Sequence, residues 1–226
     1  MNMRPDPDNL TGSREQLIAQ LSEQARPVQR VTELHGLGMI GLAAVIAGIG
    51  SILIFGFWIA QFASEASAFY WILNGLLLVL GFASAAALVS TALPRVGARS
   101  NGPKWSAAML AVVPFAALVS LFTVDPAHGA LGMHNPELQY WECAWRSMAA
   151  GLIVGLAGVL YLRRGAPVSL ERSGWLTGLA AGSLGAFAYG ITCPLDSLGH
   201  LGIIHVLPVA VSAVIGRLVV PPLIRW

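Results

Sequence analysis

The stretch from Cys143 to Cys193 reads CAWRSMAAGLIVGLAGVLYLRRGAPVSLERSGWLTGLAAGSLGAFAYGITC, and its reading decides the fold. One apolar run leads from Cys143 to Arg163-Arg164. Gly165-Ala166-Pro167 then turns the chain, and a second run from Gly174 returns to Cys193. Each arm is about 30 Å long as a helix, the hydrocarbon thickness of a bilayer. The pattern predicts a membrane hairpin that brings the chain's two cysteines back to one side. Small residues recur every four positions: Cys143, Ser147, Gly151 and Gly155 on the first arm, and Gly178, Gly182, Ala186 and Gly190 on the second. Such stripes let membrane helices approach closely, which makes Gly151, Gly155, Gly178 and Gly182 the predicted packing positions. If the two stripes face each other, the thiols are neighbours. The competing reading is ordinary glycine-rich packing with two unrelated cysteines.

Composition agrees with a lipid setting. Of the 226 residues 56% are hydrophobic and 11% charged, and the mean hydropathy is +0.69. Soluble domains carry about 25% charged residues. Two cysteines provide no disulfide framework and no CxxC pair. No apolar segment precedes residue 36, so a cleavable signal peptide is not expected.

Six spans are predicted, at 37–60, 69–93, 105–123, 144–163, 174–193 and 200–222, with tryptophans near their ends and kinks expected at Pro114 and Pro208. The fold class is therefore all-α, a polytopic membrane protein with a short N-terminal cytoplasmic helix. Residues 1–36 form a cytoplasmic arm and 37–226 a six-helix transmembrane domain. Residues 1–12 read as a disordered lead-in, and Ser13 with Gln16 as the capping box of the arm's helix. That helix has an apolar stripe of Leu17, Ile18, Leu21 and Ala25, and Pro27 ends it.

Twelve of the thirteen Lys and Arg fall on one side of this layout, and only Arg146 falls on the other. The positive-inside rule makes the first side cytoplasmic. Both termini then lie in the cytoplasm, and Cys143 and Cys193 face outward, as do or nearly do His128, His134, His200 and His205.

Outward thiols in an oxidising compartment suit a Cys143–Cys193 disulfide, either as a switch or as a static staple. They also suit capture of a soft metal ion, with His128, His134, His200 and His205 as weak further ligand candidates, since no compact HxxxH or CxxC spacing is present. Polar groups at mid-membrane are few, which argues against an ion pathway. No nucleophile motif, phosphate loop or paired mid-membrane carboxylates are present, and neither enzyme activity nor a cofactor is expected. The arm's helix is too short and its flanks too acidic for a membrane anchor. It suits a partner's groove, its own cytoplasmic face or lipid.

Three motifs carry a family resemblance. Leu17-Ile18 and Leu21 lead into Arg26-Pro27-Val28-Gln29-Arg30, Leu162-Arg163-Arg164-Gly165-Ala166-Pro167 forms the hairpin turn, and Tyr189 precedes Cys193-Pro194-Leu195-Asp196-Ser197, with Arg225-Trp226 at the close. These resemble the NrsF-like family of bacterial membrane anti-sigma factors, well over 13–35 and 143–226 and only in architecture between. One departure is Ile204-His205, where the family is expected to carry an aromatic pair. The resemblance implies an inner-membrane regulator, embedded in the lipid bilayer and without direct nucleic-acid contact. Its arm (Leu17, Ile18, Leu21, Pro27, Val28, Arg30) would sequester an extracytoplasmic-function sigma factor. Cys143 and Cys193 would receive an oxidant or heavy-metal signal that releases it. The alternatives are a redox-active or metal-handling membrane protein without a sigma partner, and a purely structural subunit.

Overall fold

The computed structural model describes residues 7–24, 32–58, 66–93, 101–123 and 137–225. Among them the chain is all-helical, with α1 (Pro7–Gln24), α2 (Glu33–Phe55), α3 (Ala68–Thr91), α4 (Gly102–Thr123), α5 (Glu137–Leu162), α6 (Leu170–Gly190) and α7 (Leu207–Leu223). A π-helical turn, His200–Ile204, precedes α7. The chain divides into two compact units, residues 1–30 and 31–226.

In the first unit, α1 starts at Pro7, so the expected disordered lead-in is helical from there and Ser13 lies inside the helix rather than at its cap. Proline has its φ preset for a first helical turn, which suits Pro7 to open the helix. Leu17, Ile18 and Leu21 are all more than half exposed.

In the second unit, α2, α3, the Trp141–Leu162 part of α5 and the His200–Leu223 segment are long and apolar enough to cross a membrane. Exposed Leu42, Val45, Ile46, Ile49 and Leu53 on α2 form a surface that lipid can cover and water cannot. α6 lies at the centre, packed on α2, α3, α5 and α7. Its Gly, Ala and Ser content lowers its hydropathy, because much of its surface meets other helices.

The small residues of α6 work on two faces. A methyl at Gly151 of α5 would sit 2.5 Å from the Ala181 carbonyl oxygen, and Gly185 meets Ser147 and Gly151 in return. Gly155 also faces Ala181. Gly178 and Gly182 instead lie against Val209, Ser212 and Ala213 of α7. The predicted stripe-on-stripe contact is thus replaced by a shifted one. Residues three positions apart lie on neighbouring flanks of a helix, so one small-residue helix receives two partners.

Ends and turns follow local chemistry. Ser67 and Ser169 cap α3 and α6 by accepting the amides of Tyr70 and Arg172. Gly56, at φ 84°, ends α2 short of residue 60 in a backbone region that glycine tolerates. Pro208 does not kink the last span. It occupies the first turn of α7, where no backbone donor is required, and the π-helical turn makes the break before it. The hairpin turn docks on the end of α3, where the Ala166 amide donates to the Ala92 carbonyl at 3.3 Å.

Candidate functional site

α5 places Cys143 near one of its ends, and α6 stops at Gly190 so that a short turn delivers Cys193 beside it. The sulfurs lie 3.9 Å apart, and both cysteines are free thiols. They are buried, at 5% and 1% exposure, in a cluster with Tyr189, against which Leu195 and Ile204 pack. His200 enters from the π-helical turn, with its Nε2 at 3.4 Å from the Cys193 sulfur. The Ser197 hydroxyl accepts the His200 amide at 3.3 Å.

Around this core the polar groups are ordered. The Tyr189 hydroxyl is 3.6 Å from the Cys143 sulfur and accepts from Arg146 Nη1 at 3.3 Å. Arg146 also donates to Glu142 at 2.6 Å, and its guanidinium lies 4.6 Å from the centre of the Phe55 ring on α2. The Tyr189 hydroxyl thus joins the Cys143 sulfur to the Arg146 guanidinium in one polar cluster. Tyr70 donates to the Gly190 carbonyl at 3.1 Å, and a methyl at Gly190 would collide with Asn74. Asp196 accepts both the amide and the hydroxyl of Ser67, at 2.5 and 2.7 Å, and ties the segment after Cys193 to the start of α3.

The structure brings Cys143, Cys193 and His200 together, with ligand atoms all within 4.8 Å of one another. It does not add His205 to that group. That ring is buried, stacked on Tyr189 and 5.2 Å from His200. His128 and His134, like Pro27, Val28 and Arg30 of the arm, lie outside the described residues. Sequence reasoning missed Arg146, Ser67 and Asp196 as parts of the site. Arg146 stood out only as the lone basic residue of its side, and the Asp196–Ser67 clamp spans 129 positions and leaves no local signal.

At the opposite end of α5, Tyr161 donates to the Thr32 carbonyl at 3.2 Å, and Arg164 lies 3.3 Å from His35. Gly36 makes room for the Tyr161 ring, since a methyl there would sit 2.5 Å from it. α5 thus connects the sulfur cluster to the start of α2, within the last residues of the 1–36 segment.

Fold and cluster define a membrane-associated helical protein with two buried free thiols beside an imidazole inside its helix packing. The chain belongs to the family described as negative regulator of sigma F, NrsF, whose model matches residues 21–226. The family is one of sigma-factor regulators rather than enzymes, and it implies a sigma factor as partner. Leu17 and Ile18 precede the matched residues. No curated protein and no solved structure matches the chain.

Proposed function

We propose that this protein is a six-span anti-sigma factor of the bacterial inner membrane, with both termini cytoplasmic. It holds an extracytoplasmic-function sigma factor through Leu17, Ile18, Leu21, Pro27, Val28 and Arg30, and releases it when oxidant or heavy metal reaches outward-facing Cys143 and Cys193. α4 and α6 supply the two crossings beyond the four helices already named as long and apolar enough to cross. The exposed Leu17, Ile18 and Leu21 support the arm's role, because an apolar stripe on a short helix suits a partner's groove.

The observation that carries the reading, within a family of sigma-factor regulators, is α5. It is continuous from Cys143 to Tyr161, about 27 Å, with the sulfur cluster at one end and the root of the arm at the other. A two-state movement of this one helix would link the two. The test is to purify the full-length protein in detergent from cells and probe for a bound sigma factor, before and after cadmium or peroxide. Retention that falls on treatment is expected. Absence of any sigma factor from the untreated protein overturns the reading. It would leave the second one, a metal-handling protein without a sigma partner, which the Cys143–Cys193–His200 cluster favours.

A further inference from the structure

The geometry points to a three-ligand site for a soft divalent cation of the zinc and cadmium type, made by Cys143, Cys193 and His200, with the fourth position open. The inference rests on this cluster being the sensing centre, and it names the ligand and the third protein donor.

The first argument is distance. With Zn–S near 2.3 Å and Zn–N near 2.05 Å, a tetrahedral ion holds two thiolates about 3.8 Å apart and a thiolate and an imidazole nitrogen about 3.5 Å apart. The sulfurs here stand at 3.9 Å, and Cys193 Sγ and His200 Nε2 at 3.4 Å. Two edges of the tetrahedron are already built. The third, from Cys143 Sγ to the imidazole, is at most 4.8 Å and so has at most about 1.3 Å to close on binding. A disulfide demands a larger change, because the sulfurs must approach to about 2.05 Å.

Charge is the second argument. Two thiolates and a neutral imidazole balance a divalent ion, and the neutral assembly tolerates a site where all three side chains are buried. Binding releases one proton from each thiol and transfers no electrons. Sulfur and imidazole donors select zinc, cadmium and similar ions over magnesium or calcium. Arg146 and Tyr189 lie on the Cys143 side, where the hydroxyl can donate to a bound thiolate. The third argument is backbone. His200 starts a π-helical turn, a local form that recurs at functional sites, and its amide is held by Ser197. His205, edge-on to His200, orients the imidazole without ligating.

The experiment titrates reduced, metal-free, full-length protein in detergent with cadmium alone and follows the ultraviolet cadmium–thiolate band. Saturation at one equivalent is expected. Cys143→Ser and Cys193→Ser should each remove about half of the band, one thiolate of two. His200→Ala should keep the band and weaken affinity by about tenfold or more. A parent protein without the band, or a His200→Ala protein that binds as tightly as the parent, overturns the proposal. Circular dichroism and gel filtration establish that each variant is folded. Where His200→Ala is not, the parent protein decides: one equivalent of zinc should slow maleimide labelling of both cysteines and release about two protons, and failure of either result overturns the site. Sigma-factor binding does not enter this titration. Loss of the partner would sink the proposed function alone, and loss of the band would sink the metal site alone.

Discussion

Replacing Tyr161 by Phe tests the link between the sulfur cluster and the arm with a single atom. The ring is fully buried against the Gly36 position and Val89, and phenylalanine keeps that packing. Only the hydroxyl is lost, and with it the bond to the Thr32 carbonyl at 3.2 Å. Such a bond contributes about 1 kcal/mol, which is about fivefold in an equilibrium constant. On the proposed reading this structure is the holding state, and the bond is made in it and not in the released one. A released fraction of about 1% would then rise to about 5%. The assay is a sigma-dependent reporter in uninduced cells, with the membrane level of the protein checked by immunoblot. Basal transcription should rise about fivefold, while the induced ceiling stays as in the parent and cadmium binds the purified protein up to about fivefold more tightly, because the ion no longer has to break the bond. Unchanged basal transcription at equal protein level would refute the reasoning, since the bond would then not distinguish the two states.

Other substitutions test other parts. Leu17→Asp or Leu21→Asp puts a charge on the exposed apolar stripe and should abolish sigma retention and make transcription constitutive; normal repression in both variants would count against the arm. Gly178→Ala drives a methyl into the α7 backbone at Ser212 and Ala213, whereas Gly38→Ala meets nothing within 4 Å. The first should lower stability in detergent by about 1–3 kcal/mol and the second should not, and equal melting would disprove the close contact. Asp196→Asn weakens the clamp on Ser67 by about 1–2 kcal/mol and should speed alkylation of Cys193 in the metal-free protein. An unaltered rate would mean that the clamp does not shield the sulfur.

The helices were legible because apolar length is a one-dimensional signal. The expected spans at 69–93 and 144–163 overlap almost all of α3 and most of α5. The small-residue spacing marked α6 as a packing helix, but spacing cannot say which helix it packs on. Gly178 and Ala181 differ by one step around the helix, and that step separates α7 from α5. The π-helical turn was not legible, since Pro208 alone suits either a kink or a first turn. Cys143 and Cys193 were visible as the chain's two thiols, yet His200 did not stand out from three other histidines until the turn placed its Nε2 near sulfur. The Tyr161–Thr32 bond spans 129 residues between an interior tyrosine and a backbone carbonyl, and no pattern of side chains announces such a pair.

The ligand positions give the proposed signal a direction of travel. Cys193 and His200 both lie on the segment between α6 and α7, and their edge is already near its metal-bound length. Any closing of the third edge, at most 4.8 Å, is then work for Cys143, and so for α5. That helix is pinned to α6 at Gly151, where its backbone meets Ala181 and Gly185 with no side chain between them. Interhelical packing without a hydrophobic drive depends on such contacts, so on the proposed reading the pin is the stiff point about which α5 would pivot. Cys143 lies about 12 Å from the pivot and Tyr161 about 15 Å beyond it. A shift of about 1 Å at the sulfur therefore becomes a shift of about 1.2 Å in the opposite sense at Tyr161. The Tyr161–Thr32 bond is 3.2 Å long, and hydrogen bonds are lost within a few tenths of an ångström beyond that. On the proposed reading, a displacement small enough to leave the helix packing intact would thus be large enough to free the backbone at Thr32, near the end of the arm.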